Sequence, residues 1–429
     1  MTDYLKKTFR LKALALVASL VALTALVAAC SDDPTPTPVP ATATPTSAAM
    51  TEAMVPGTGP TVAELAGGSP AAFGKIFADA VASSSAPAAS TYALAAAGGD
   101  VKVGFIFVGS EQDLGYNQAA YEGSLYVAEQ HPDLEILYAE NIPETAQVKA
   151  VMGQMIQQGA SIIFATSYGY SSFAKEMAAE NPEVVFLHMG DVESTDNYGA
   201  FFGNIWQIEY AAGKAAGSVT KTNKLGFVAA FPIPQTLLNI NAFTLGAQSV
   251  NPDVTTTTVL LSAWCDPAKQ AATAQVLLDA GVDVLTQHQD CTGTITRAAE
   301  RAGVYVSGYH ADASSAAPNG WITGAVWNWG PVYSELVQEI KDGTYQANVF
   351  FGGLSEGFVK LAPFGSTVSS ELETIVNDAV EEMRAGTLNP FEGPIKDQDG
   401  VVRIAAGESY TDEQLQSMDW LVEGVEGSF

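Results

Sequence analysis

The chain has 429 residues, 19 Lys+Arg against 47 Asp+Glu, and a formal charge of -28 with a pI near 4.3. Such a surface repels phosphates, so no nucleic-acid partner is expected. With 47% hydrophobic residues the chain can bury a sizeable core, and its length favours two lobes, because one core rarely grows past roughly 250 to 300 residues. Along the chain, Lys6, Lys7, Arg10 and Lys12 precede an apolar run from Ala13 to Ala29. That order is the one an export signal uses, so residues 1-29 read as a signal peptide rather than a lasting membrane span.

The run closes on Leu26-Val27-Ala28-Ala29-Cys30. Small residues there fit a peptidase cleft, and the stretch resembles the bacterial lipobox, which makes Cys30 the expected lipidated first residue of the mature chain. Its strong negative charge gives electrostatics little part in membrane adhesion, so an acyl chain is the expected tether to the extracytoplasmic face. Residues 30-98 run Pro-Thr-Pro-Thr-Pro and then Ala, Ser and Gly with few large apolar residues. They cannot build a core and read as a disordered tether.

From residue 99 onward, short apolar runs alternate with helix-length stretches. Val101 to Val108 predicts a strand and Asn117 to Gln130 a helix; Leu134 to Tyr138 is followed by Ala146 to Gln158, Ser161 to Ala165 by Ser172 to Glu180, and Val184 to His188 by Ile208 to Val219. The second half repeats the pattern: Leu225 to Ala230 with Gln235 to Ser249, Val259 to Leu261 with Pro267 to Ala280, Val282 to Thr286 with Thr294 to Ala302, then Val304 to Ser307. Alternation of this kind implies an α/β fold of parallel sheets with helices on both faces and right-handed crossovers. Four units before about Thr220 and four after imply two similar halves. In the tail, Ser370 and Glu373 predict a capping box before a helix ending near Gly386, Pro394 to Ile404 a hairpin around Asp399-Gly400, and Thr411 the start of a short helix.

In parallel sheets, ligands bind off the carboxyl ends of strands. There the sequence gathers hydrogen-bonding groups and aromatic faces: Gly109 to Asn117 with Tyr116, then Ser167-Tyr168-Gly169-Tyr170, His188-Met189-Gly190-Asp191, Phe231-Pro232, Trp264-Cys265-Asp266, Gln287-His288-Gln289-Asp290, Tyr309-His310-Ala311-Asp312, and Trp327-Asn328-Trp329. Rings to stack on, with carboxylates and amides to read edges, suit a flat, neutral, heteroaromatic ligand such as a purine. Each residue alone also has a structural reading, since strand-end Asp and Asn cap helices and Trp fills cores.

His188, His288 and His310 each precede an Asp by two or three residues, a spacing compatible with metal ligands. A secreted metal-dependent hydrolase built on His288, Asp290, His310 and Asp312 is therefore the competing class. No metalloenzyme signature, nucleophile elbow, phosphate loop or dinucleotide fingerprint accompanies them, so no catalytic residue, metal or cofactor is expected. Cys265 and Cys291 follow consecutive predicted strands in an exported setting. They either pair across the rim of the second lobe, pre-ordering Trp264, Asp266 and Asp290, or remain free thiols.

Gly115-Tyr116-Asn117-Gln118-Ala119-Ala120-Tyr121-Glu122-Gly123 resembles a segment of the basic membrane protein (BMP, PnrA-like) family of ABC-importer solute-binding lipoproteins. Ala263-Trp264-Cys265-Asp266-Pro267, Gln287-His288-Gln289-Asp290, Gly308-Tyr309-His310-Ala311-Asp312, Val326-Trp327-Asn328-Trp329-Gly330 and Pro394-Ile395-Lys396-Asp397 extend the likeness over the folded part. The resemblance implies a type I periplasmic-binding-protein fold, two doubly wound lobes joined by three crossovers, closing on a purine nucleoside or related heterocycle. The lobes are expected at 99-220 plus about 321-345 and at 221-320 plus about 346-429. Expected ligand contacts are Tyr116, Asn117, Tyr168, Phe231, Trp264, Asp290, His310, Asp312, Trp327 and Trp329. Tyr116 stands where a Phe commonly stacks on the base, Asn117 is its hydrogen-bonding neighbour, and Phe231 and Trp264 look like walls of the second lobe. Where family members hold ribose with an Asp and a Lys, this chain has His310 and Trp327. The resemblance therefore implies a free base such as adenine ahead of a nucleoside, with a sugar as the runner-up ligand. It further implies an ABC permease as partner and a monomeric, non-enzymatic component.

Overall fold

The computed structural model describes residues 101-191 and 193-427. The expected signal peptide, Cys30 and the expected tether lie outside those residues. The first sheet is built from β1 (Lys102–Ile106), β2 (Glu135–Ala139), β3 (Ala160–Ala165), β4 (Val185–Met189) and β5 (Tyr198–Gly203), with α1 (Tyr116–Gln130), α2 (Gln147–Gln157) and α3 (Ser171–Glu180) between its first four strands. After β5 the chain enters α4 (Trp206–Val219) and the second sheet: β6 (Lys224–Ala229), β7 (Thr255–Leu260), β8 (Val284–His288), β9 (Tyr305–His310) and β10 (Trp321–Trp327). Its intervening helices are α5 (Pro234–Val250), α6 (Pro267–Asp279) and α7 (Gly293–Ala302).

The two sheets share one parallel order, β2-β1-β3-β4-β5 in the first and β7-β6-β8-β9-β10 in the second. The architecture is thus the expected type I α/β fold with two doubly wound lobes. In each, the order reverses beside the first strand, which opens a crevice at the strands' carboxyl ends.

The first crossover runs from Gly203 to Trp206. The second leaves β10 at Trp327 and returns to the first lobe as α8 (Trp329–Asp342). The third joins β11 (Val349–Gly352), parallel to β5, to β12 (Val359–Leu361), antiparallel to β10. The crossings lie side by side: the Asn204 N–H donates to the Gly352 carbonyl at 2.7 Å and the Asn328 N–H to the Phe358 carbonyl at 2.9 Å.

These partnerships correct the expected lobe boundaries. Trp321–Trp327 belongs to the second sheet, not the first lobe, and Val349–Gly352 belongs to the first sheet, not the second lobe. Helix α4, expected in the first lobe, packs on α5 and on β9 and β10. Its small residues make that possible. A Cβ on Gly213 would lie 2.0 Å from the Phe243 carbonyl oxygen, and one on Gly246 of α5 would lie 2.0 Å from that of Tyr210.

Local chemistry fixes the element ends. Asp266 accepts from the Lys269 N–H at 3.0 Å and Pro267 opens α6, a favoured start for a helix. Gly303, at φ 69°, ends α7 in the left-handed region. In the tail, α9 (Ser370–Arg384) is capped by Ser369, whose hydroxyl accepts from the Leu372 N–H. The cap therefore lies one residue before the predicted Ser370, and with Leu372 in the third helical position the predicted box with Glu373 does not form; a capping box is found at Thr411 and Gln414, before α10 (Asp412–Gln416). The predicted hairpin pairs β13 (Ile395–Lys396) with β14 (Val402–Ile404). A short β15 (Val425–Glu426) closes the second sheet beside β7. Stacked Phe105 and Phe164, 4.5 Å apart, centre the first lobe's core, and Phe227 against Phe243 the second's.

Candidate functional site

A cavity of about 450 Å³ lies between the lobes, lined by residues from the carboxyl ends of both sheets. The first lobe supplies Tyr116 at the start of α1, Tyr168 after β3 and His188 to Asp191 at the end of β4; the second supplies Gln235, Trp264, His288, Asp290 and His310. Five of the expected ligand residues therefore converge: Tyr116, Tyr168, Trp264, Asp290 and His310.

The other five have different work. Asn117 is buried with both ends of its amide engaged, accepting from the Gly109 N–H at 3.0 Å and donating to Asp113 at 2.7 Å. Phe231 stands behind the wall, its ring edge-on to Trp264 at 4.8 Å. Asp312 is exposed and accepts from the Ser314 N–H at 2.9 Å, closing its own turn. Trp327 supports the lining, since its indole N–H donates to His310 Nδ1 at 2.7 Å. Trp329 stacks on Trp327 at 4.6 Å and on Tyr333 at 6.0 Å as core at the second crossover. In each case local capping or core packing uses the polar edge or ring that a ligand would need.

Several lining residues were not in the expected set. His188, Asp191 and His288 sit in strand-end clusters the sequence displays. Asn204 from the first crossover, Phe351 from β11 and Gln416 from α10 carry no strand-end signal, because only long-range folding brings their segments to the cleft.

The lobes touch at residues that line the cavity. The Tyr116 N–H donates to the Asp290 carbonyl at 3.0 Å, and the Thr292 hydroxyl donates to the Leu114 carbonyl. Tyr168 and Trp264 face each other edge-on at 6.5 Å. The rim of the second lobe is cross-linked, because Cys265 and Cys291 form a disulfide and the Asp290 N–H donates to the Trp264 carbonyl at 2.8 Å.

Burial sets the electrostatics of the site. Burial, with Asp113 and Glu144 nearby, pushes the Asp290 carboxyl well above the usual carboxylate range. Burial drives the imidazoles the other way, His188 to about 4 and His288 to about 3, and holds His310 well below its ordinary value. The rings are therefore neutral at pH 7. No Lys or Arg is among the described residues that line the cavity. Among the described residues, no three His, Cys, Asp or Glu side chains group so as to hold a metal ion.

Two lobes joined by three crossovers around an aromatic-lined cleft define a solute-binding protein of the periplasmic type. Residues 100-390 match the family described as ABC transporter substrate-binding protein PnrA-like, and the chain belongs to that family. It is a substrate-binding component of an ABC transporter, a family that works outside the cytoplasm. Among the described residues no helix is long and apolar enough to cross a membrane. A purine-binding protein of Brucella abortus is 34% identical over 327 residues, covering 76% of this chain and 93% of that protein. A putative ABC transporter glucose-binding protein of Haloferax volcanii is also 34% identical, over 77% of this chain and 81% of that protein. A solute-binding protein of an ABC transporter system from Conexibacter woesei shares the fold at TM-score 0.58 and 23% identity, covering 67% of this chain and 98% of that one.

Proposed function

We propose that this chain captures a purine for an ABC importer, with a free base such as adenine preferred over a nucleoside. The observation that carries the reading is the cavity itself: Tyr116, Tyr168 and Trp264 offer ring faces and edges, and no Lys or Arg is among the described residues that line it to balance a phosphate or carboxylate. Burying a charged ligand where no described lining residue is a Lys or Arg to pair it is costly, which disfavours nucleotides and organic acids. A neutral planar heterocycle meets no such penalty and gains from stacking.

The preference for a base rests on His310 and Trp327. They form a neutral hydrogen-bonded pair at the positions where, by the resemblance, family members hold ribose with an Asp and a Lys. With Nδ1 taken by Trp327, His310 keeps one free ring nitrogen, where a carboxylate would offer two oxygens to a sugar diol. The purine-binding relative supports a purine as the ligand.

Capture follows from geometry. Ligand contacts to both lobes favour the closed arrangement, in which Tyr116 and Asp290 bond across the mouth, and the permease then recognises the closed surface. No bond is broken. The export signal directs the chain out of the cytoplasm, and lipidated Cys30 and the 30-98 tether then hold the monomeric binding body at the extracytoplasmic face. Mass spectrometry of the membrane-extracted protein, before and after Cys30→Ala, checks the anchor.

Calorimetry with adenine, guanine, adenosine and guanosine tests the ligand. Bases binding more tightly than their nucleosides is the expected result, and the reverse order overturns the free-base assignment. The glucose-binding relative motivates a second reading, a monosaccharide lying against the same rings. Heat on adding glucose, with none for the four purines, would select it.

A further inference from the structure

We infer that His310 sets the specificity of the cleft by presenting one fixed N–H donor, at Nε2, to an acceptor on the ligand, and that Trp327 holds it in that form. The inference rests on the ligand site proposed above. An indole nitrogen can only donate. Because the Trp327 N–H lies 2.7 Å from His310 Nδ1, that ring nitrogen must be the acceptor, and the single proton of a neutral imidazole is then on Nε2. Burial and the neighbouring His288, 6.0 Å away ring to ring, keep the ring neutral.

His310 lines the cavity, is 2% exposed, and its Nε2 has no hydrogen-bond partner among the described residues. The ring is also clamped. Tyr309 lies 3.8 Å from it, Tyr116 meets it edge-on at 5.1 Å, and Trp327 is backed by Trp329. Its backbone takes φ 70°, an uncommon conformation for a residue with a side chain and one that clusters at functional sites. A buried, immobile, unsatisfied donor selects strongly: a ligand with an acceptor in reach satisfies it, whereas one without leaves it stranded. The complementary group on the ligand is an acceptor: a ring nitrogen or carbonyl oxygen on a purine, or a hydroxyl oxygen on a sugar.

The test has two arms on the mature chain. Ring-nitrogen NMR of the ligand-free protein, which has only four histidines to assign, reads the tautomer directly. The Nε2–H form is expected for His310, and a mixture in Trp327→Phe, which keeps an aromatic ring but cannot donate. An Nδ1–H form or an imidazolium in the wild type at pH 7 overturns the inference without reference to any ligand. In the second arm, calorimetry compares adenine with its 1-, 3- and 7-deaza analogues, each lacking one ring acceptor. One analogue should bind at least tenfold more weakly than adenine to the wild type. That ratio should fall to near one in His310→Phe, shrink in Trp327→Phe and survive in part in His310→Gln, which still carries an N–H donor. An unchanged ratio in His310→Phe, or no discrimination by the wild type, sinks the assignment. If no purine binds, the purine reading fails on its own, and the same ratio is taken between glucose and its monodeoxy analogues.

Discussion

The backbone N–H of Tyr116 donates to the carbonyl of Asp290 across the cleft, 3.0 Å apart. This joins the start of α1 in the first lobe to the loop after β8 in the second, and both residues line the cavity. The approach is close because residue 115 has no side chain: a Cβ there would lie 1.9 Å from the Asp290 carbonyl oxygen.

Gly115→Ala should therefore hold the lobes apart while leaving each one folded. We expect adenine affinity to fall at least tenfold, about 1.4 kcal/mol, and small-angle scattering to show that saturating adenine no longer compacts the protein. Unchanged affinity and compaction would mean that closure does not require this contact.

Trp264 forms a wall of the cavity, braced by Phe231. Loss of a stacking face on a base costs about 1–3 kcal/mol, so Trp264→Ala should weaken adenine binding by that amount and Trp264→Phe by less. Because Trp264 is only half-buried, the urea midpoint of either variant should move little. A large midpoint shift with unaltered binding would assign Trp264 to packing.

The disulfide between Cys265 and Cys291 spans a sequence separation of 26 residues. Loop-closure entropy for a ring of that size corresponds to about 3 kcal/mol. The Cys265→Ser/Cys291→Ser double variant should lose roughly that much stability in urea, and affinity should fall too, since the Trp264 and Asp290 loops lose their tie. Equal stability of oxidised and reduced protein would refute the structural role.

Glu209 of α4 is fully buried, neither carboxylate oxygen has a hydrogen-bond partner among the described residues, and burial raises its carboxyl well above the ordinary value. The folded state thus keeps this proton at pH values where the unfolded chain has released it. Its contribution is complete below the unfolded value near 4.5 and is lost as pH rises towards the folded one. Glu209→Gln lacks this loss. From pH 5 upward, its urea-unfolding stability should gain on the wild type by up to about 1.4 kcal/mol per pH unit. A pH-independent difference would show that the carboxyl is already ionised in the fold.

Much of the fold is legible in the chain. Strands such as Ser161 to Ala165 are short apolar runs, and the helices between them carry their own stop and start chemistry at Asp266, Pro267 and Gly303. Less legible were β5 and β10, where a glycine interrupts the apolar run and reads as a breaker. In β10 the glycine is a packing device, for a Cβ on Gly324 would lie 2.6 Å from the Gly308 carbonyl oxygen on the neighbouring strand. The Thr255 to Thr258 half of β7 was hidden by its hydroxyls, although Thr256 is fully buried there.

What the sequence alone determined was the alternation, and with it the parallel sheets, the strand-end clusters and the residue types available to a ligand. Those follow from local periodicity and from the universal need to bury apolar faces. Only the tertiary structure decided which members of each cluster meet. Asn117 and Asp312 were claimed by nearby backbone and Trp329 by the core, while Phe351 and Gln416 came to the cleft from distant segments. Competition among neighbouring hydrogen-bond and packing partners is settled in three dimensions, and a linear string of residues does not contain those distances.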